Sequence, residues 1–424
     1  MPLTHDEHVF GYASHELNVE SPAPTNIHTP LNPFIFRSYR LMRKSVLCSC
    51  LFLVFVATGA AQAADTPSAP PLIVPHMAPL GAKSYVLMDY RTGRILAAKN
   101  KDKELAPAST TKLMTAFVVF RALKRGRITL DTKFRVSKKA WHEGGSRMFL
   151  KVGSHVSVDN LLKGMLVPSG NDAAMTLAEG VSGSEQAFVA RMNRDARQLG
   201  LHDTHYTDPN GLPRPGLHSS ALDLAKLSRA IIRRFPKEYA RFFAVKSFTW
   251  NNIHQNNYNK LLWRDPSVDG LKPGYVSAVG YNLAASAKRH GMRLIGVVMG
   301  ADKPKASSAA NYINLAQVTG SLLDYGFHNY ATHKMYAAGQ SVFKAPVKHG
   351  DQDKVALGLR KTLYVTVPRG QYAQLKASVK LPGSITAPVK QGQSIGHLVV
   401  KLGPRVVARA PLVALAGDKR YSFW

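Results

Sequence analysis

The chain has 424 residues, enough for one to three domains and a sizeable buried core. Its 45% apolar and 19% charged content is ordinary for a globular protein. Lys and Arg number 56 against 26 Asp and Glu, a net charge of +30 that favours polyanions, yet no helix-turn-helix, RNP-like or zinc-finger pattern accompanies it, so no nucleic-acid partner is expected.

Residues 1–41 are polar and featureless and read as a non-structural extension. Met42-Arg43-Lys44 then opens a basic segment, Val46 to Ala57 is almost wholly apolar, and Ala61-Gln62-Ala63 supplies small residues for cleavage. That order predicts a secretory signal peptide over 42–63, too short for a stable membrane span. Both cysteines, Cys48 and Cys50, fall inside it, so the mature chain would carry no disulfide, thiolate nucleophile or cysteine metal site.

Residues 64–80 are Pro-rich and read as a flexible linker. Ser84 to Tyr90 predicts a strand, Arg91-Thr92-Gly93-Arg94 a turn, and Ile95 to Ala98 the returning strand of a hairpin. Pro107 precedes an apolar run, Leu113 to Leu123, that predicts a buried helix. The stretch from about 155 to 235 is helical in pattern, interrupted by the turn-rich segment Asp208 to Gly216. Tyr281 to Ala287 and Arg293 to Met299 predict strands, and a helix around Leu322 ends near Gly326. From about 331, short β-like runs alternate with Gly and Pro and predict a small all-β domain.

Three short elements carry chemistry. In Pro107-Ala108-Ser109-Thr110-Thr111-Lys112 a hydroxyl and an amine stand three apart at a helix start, so Lys112 can reach the Ser109 oxygen. Serine becomes a nucleophile when a base takes its proton, and lysine is that base only if burial or a nearby cation lowers its pKa. The pattern alone is weak. Ser341-Val342-Phe343-Lys344 fits it too, in a β-like stretch where the two side chains would not align, and Ser109 by itself could be an ordinary helix cap. Second, Val167-Pro168-Ser169-Gly170-Asn171 puts a hydroxyl and an amide on a short loop before a helix, able to pass a proton and hold a carbonyl. Third, Val268-Asp269-Gly270-Leu271-Lys272-Pro273-Gly274-Tyr275 places a cation beside a glycine at a strand start. His202, His205 and Asp208 have metal-ligand spacing, but they sit in a turn-rich loop, and no metal or other cofactor is expected.

The order and spacing of these elements resemble the S-x-x-K, S-x-N and K-T-G signature of active-site serine penicillin-binding proteins and β-lactamases. The runs 106–115, 144–149, 165–178, 218–223 and 268–287 look like the D-alanyl-D-alanine carboxypeptidases of the low-molecular-mass class, and 364–379 and 383–400 look like their β-sandwich domain. The resemblance implies an α/β (α+β) transpeptidase-like domain, an antiparallel sheet flanked by helices, over 81–328, and an all-β domain over 329–424. It implies that Ser109 attacks the carbonyl between two D-alanines of a peptidoglycan pentapeptide, with Lys112 as base. Ser169 would pass a proton to the leaving D-alanine, Asn171 would position the substrate amide, and Lys272, Gly274 and Tyr275 would bind substrate. The N–H groups of Ser109 and Tyr275 would form the oxyanion hole, and β-lactam antibiotics would acylate Ser109.

Two departures bear on the substrate's free carboxyl end. Pro273 stands where the family has the K-T-G threonine, so that hydroxyl is gone. The family's arginine after the Val297–Gly300 strand is also missing, and 301–322 offers only Lys303 and Lys305. An endopeptidase or a weakly active peptide-binding scaffold are therefore the alternatives, and a β-lactamase lacks a convincing deacylating Glu between 175 and 220. No amphipathic helix follows the β domain, so a periplasmic protein is expected, soluble or held by charge to anionic lipid.

Overall fold

The computed structural model describes the backbone of residues 13–17, and residues 74–302 and 307–422. The segment read as a signal peptide, most of the linker, and Lys303 and Lys305 lie outside the described residues.

The predicted hairpin forms strands Ala82–Asp89 and Ile95–Lys99. The later strand patterns form Gly280–Arg289 and Met292–Ala301, and Val268–Val276 joins them. These make a five-stranded antiparallel sheet in the order 95–99, 82–89, 292–301, 280–289, 268–276. Its central strands read as unbroken apolar runs because both faces are covered. Val86, Met88, Ile295 and Val297 point into one core, while the alternating Leu87, Leu294 and Val298 point into another.

The first core is closed by the helices Lys112–Lys124, Val158–Leu166, Asn171–Ser182, Glu185–Leu199 and Ala221–Arg234. The second is closed by the helix Ser308–Asn329. Serines set several of these starts: Ser157, Ser184, Ser220 and Ser307 each accept a hydrogen bond from an N–H three residues on. The linker's end is less loose than its composition suggests. Residues 74–80 have no regular structure, yet Val74, Met77 and Leu80 pack on the second core.

After Asn329 the chain turns to strands around a third core that includes Leu357, Val367, Val379, Leu398 and Leu412. They form a six-stranded sheet and a two-stranded ribbon, Tyr330–Tyr336 with Leu363–Pro368. Ser341 and Lys344 lie in the strand Ser341–Pro346, both exposed and neither lining the cleft that holds Ser109. The decoy motif is thus no catalytic pair. The extension expected to be non-structural holds one strand: Ala13–Leu17 lies antiparallel to Leu375–Leu381 at the edge of the large sheet. Edge pairing uses backbone groups and leaves little trace in composition.

One buried side chain fixes the loop before Ser109. Asn282 donates from Nδ2 to the carbonyls of Ala106 and Pro107, at 3.0 and 3.1 Å, and its Oδ1 accepts from the Gly300 N–H at 2.8 Å. Asn282→Ala would strand all three backbone groups. It should lower stability by about 2–3 kcal/mol in denaturant unfolding, and a loss under ~0.5 kcal/mol would contradict this role.

Candidate active site

The Lys112 helix does not begin with Ser109 as its cap. A short 3-10 turn, Ala108–Thr111, leads into the helix, and the cap position is Thr111, whose side chain makes no capping bond. Ser109 is half-buried in that turn, and the fully buried Lys112 is the first helical residue. Their side chains meet, with Nζ 3.0 Å from Oγ.

Lys112 Nζ has two other partners. It donates to Asn171 Oδ1 at 2.7 Å and to the Asn210 carbonyl at 2.8 Å. The Asn171 amide is oriented by its own Nδ2, which donates to the Gly144 carbonyl at 2.6 Å. Both partner oxygens only accept, so two Lys112 hydrogens are committed in either protonation state. In the neutral amine the remaining position is a lone pair, and it faces the Ser109 hydroxyl.

Burial pulls the Lys112 pKa down from the ordinary lysine range to about 7, while Asp208, Asp172 and Glu143 partly oppose the fall. Burial is the largest cause, and the buried Lys272 repels the same charge. Lys272 is itself fully buried and its pKa is driven well down, first by desolvation and then by repulsion from Lys112. Its Nζ donates to the Pro273 carbonyl at 3.4 Å. An arriving anion would restore its charge.

The carboxylates near Lys112 shape the loops around it. Asp208 accepts from the N–H groups of Asn210 and Gly211 at 2.7 and 2.6 Å, which shapes the loop that presents the Asn210 carbonyl. Asp172 accepts from Met148 and Leu150 N–H, and Glu143 from Asn210 Nδ2. Asp208 is thus a loop former, and among the described residues no group of His, Cys, Asp and Glu is placed to hold a metal ion.

Ser109, Ser169, Asn171, Lys272, Pro273 and Tyr275 line one cleft of about 230 Å³. Ser169 has a left-handed backbone, φ 64°, and its buried Oγ finds no hydrogen-bond partner among the described residues. Strain of this kind with an idle polar atom is characteristic of a working site. Gly274 passes so close to the nucleophile that a Cβ there would lie 2.7 Å from the Ser109 nitrogen. At Gly211, φ 86°, a Cβ would sit 1.8 Å from the Ala108 carbonyl. Pro273 is tolerated because its strand is the sheet edge, paired on one side with Leu283.

All seven expected site residues therefore converge. Asn171 also orients the base: its Oδ1 accepts from Lys112 and one Nδ2 hydrogen goes to the Gly144 carbonyl, while the side chain still lines the cleft. Sequence reasoning missed Asn210, Glu143 and Gly144. Only the Asp-Pro-Asn-Gly turn hinted at Asn210, and its contribution is a backbone carbonyl.

A family model described as D-alanyl-D-alanine carboxypeptidase matches residues 72–303, and one described as penicillin-binding protein 5, C-terminal domain, matches 330–420. The chain is 40% identical over 383 residues to D-alanyl-D-alanine carboxypeptidase DacD of Escherichia coli strain K12, covering 88% of this chain and 95% of that one. Penicillin-binding protein 5 from Haemophilus influenzae matches with TM-score 0.77 and 39% identity, over 81% of this chain and 99% of that structure. Penicillin-binding protein D2 from Listeria monocytogenes, in an ampicillin-bound form, matches with TM-score 0.53 and 29% identity, over 60% of this chain and 99% of that structure.

If neutral Lys112 is the proton acceptor, modification of Ser109 by an acylating reagent should accelerate as pH rises through about 7 and then level off. A rate that falls across that window would contradict the assignment.

Proposed function

The chain belongs to the D-alanyl-D-alanine carboxypeptidase family, and on that premise we propose how its residues divide the work. It is a serine-type D-Ala-D-Ala carboxypeptidase that removes the terminal D-alanine from peptidoglycan stem peptides. The observation that carries the mechanism is the Lys112 amine, 3.0 Å from Ser109 Oγ with its other hydrogens committed to Asn171 and Asn210.

Ser109 Oγ attacks the carbonyl of the penultimate D-alanine and gives its proton to Lys112. The N–H groups of Ser109 and Tyr275 receive the developing oxyanion, and Gly274 keeps that strand close enough for them to do so. The amide bond breaks as Ser169 relays the proton to the leaving D-alanine nitrogen. Water, activated by neutral Lys112, then attacks the ester and frees Ser109. Lys272 regains its charge when the substrate's carboxylate enters, which binds the terminal residue by proton uptake.

This arrangement disfavours the alternatives. A passive peptide-binding scaffold has no use for a buried lysine poised on a serine. A β-lactamase needs a carboxylate in the cleft to activate the deacylating water, and Glu143, Asp172 and Asp208 are not among the residues that line it. The ampicillin-bound relative supports β-lactams as acylating mimics of the substrate. The signal-like N-terminal sequence supports export to the periplasm. No helix among the described residues is long and apolar enough to cross a membrane. The net charge of +30 supports attachment to anionic lipid.

With a fluorescent penicillin, wild type should form a covalent adduct that Ser109→Ala does not. The same substitution should cut D-alanine release from a pentapeptide by at least about a thousandfold. An adduct that survives in Ser109→Ala would sink the mechanism. Pro273→Thr restores a hydroxyl for the terminal carboxylate and should raise kcat/KM for D-Ala-D-Ala substrates by about tenfold. Unchanged or lower turnover would count against that reading of position 273.

A further inference from the structure

The cleft continues past Pro273 onto a wall of tyrosines drawn from separate parts of the chain. Tyr275 comes from the Lys272 strand, Tyr258 from the segment after the strand Ile253–Asn256, and Tyr312 from the helix Ser308–Asn329. Tyr281, on the neighbouring strand, is buried behind them. Its ring lies 4.5 Å from Tyr275, its cross-strand partner. It meets Tyr312 edge to face, at 4.9 Å and 82°. Tyr312 in turn lies 5.2 Å from Tyr258. The Tyr281 hydroxyl donates to Ser308 Oγ at 3.3 Å, which ties the start of the Tyr312 helix to the sheet.

The wall is therefore assembled by contacts between elements far apart in sequence, with fixed ring orientations. Burial and the neighbouring phenols push the Tyr312 hydroxyl well above its ordinary pKa, so it stays neutral. Tyr275 is 44% exposed and presents ring surface to the cleft. Pro273 adds an apolar ring where a hydroxyl would have been. This end of the cleft thus offers flat apolar surface close to the position of the departing residue. The methyl of D-alanine would cover little of that surface, whereas a planar or long apolar side chain would cover much of it and gain ring–ring contact.

We propose that the tyrosine wall is a subsite for the side chain of the leaving residue, and that it favours a terminal D-amino acid with an aromatic or large apolar side chain over D-alanine. The inference rests on the acyl-enzyme mechanism above, which puts the leaving residue beside Lys272 and Pro273. The chemistry is unchanged. The penultimate D-alanine carbonyl bonds to Ser109 Oγ, the same amide bond breaks, and the departing amine takes the proton.

The test uses the full-length protein and two pentapeptides that differ only in ending D-Ala-D-Phe or D-Ala-D-Ala. Release of the terminal amino acid gives kcat/KM for each. For wild type the ratio of the first to the second should be about ten. Tyr258→Leu, at a half-buried position in a loop, should lower that ratio toward one, and Tyr312→Leu should do the same. A ratio at or below one in wild type that still takes the Ser109-dependent penicillin label overturns the subsite alone. So does a ratio that neither variant moves. Wild type that takes no such label overturns the acyl-enzyme mechanism and the subsite with it.

Discussion

The site depends on one amine held in a dry place by oxygens that can only accept. Lys112 is fully buried, and its Nζ is bonded to Asn171 Oδ1 and the Asn210 carbonyl as well as facing Ser109. Removing water makes the ammonium costly and brings the pKa to about 7. The two acceptor oxygens then decide where the amine's lone pair points. Asp208, Asp172 and Glu143 temper the desolvation without a hydrogen bond to the amine: Asp208 Oδ1 and both Asp172 oxygens accept from backbone N–H groups, and Glu143 Oε2 accepts from Asn210. A free carboxylate at Nζ would hold the ammonium charged and end its use as a base.

The fold exists in two halves around that amine. The helical half supplies Lys112, Ser169 and Asn171, and the sheet supplies Lys272, Pro273, Gly274 and Tyr275. The cleft lies along the seam between them. Close approach across the seam leaves no room for side chains at Gly274 and Gly211. It is accompanied by left-handed backbone at Ala108 and Ser169. Asn282 holds the seam from the sheet side by binding the loop before Ser109 and the Gly300 N–H together. Packing energy from the two cores on either face of the sheet supports this local strain.

Much of this was legible in the sequence, for reasons that can be named. The hairpin, the Lys112 helix and the last two strands of the sheet carry period and turn signals that survive tertiary packing. Ser109, Lys112, Ser169, Asn171 and Lys272 could be read because their residue types and order match a known chemistry. What was not legible acts through long-range placement. Asn210 contributes a carbonyl that every residue has. Glu143 matters only because it receives the Asn210 amide. Asn171 was read as a substrate ligand, and its further part in orienting Lys112 rests on bonds to residues 59 and 27 positions away. A sequence allows both causes that can lower the Lys112 pKa, burial and a neighbouring cation, but only the fold shows that the amine is fully buried. The tyrosines at 258, 275, 281 and 312 look unrelated until the fold stacks them.

The central claim is that burial makes Lys112 neutral enough to act as base. The direct measurement is an NMR titration of isotope-labelled lysine in the intact protein, with the Lys112 signal assigned by its loss in Lys112→Arg. The account predicts a midpoint near 7. A midpoint at the ordinary lysine value of about 10.4 would contradict it.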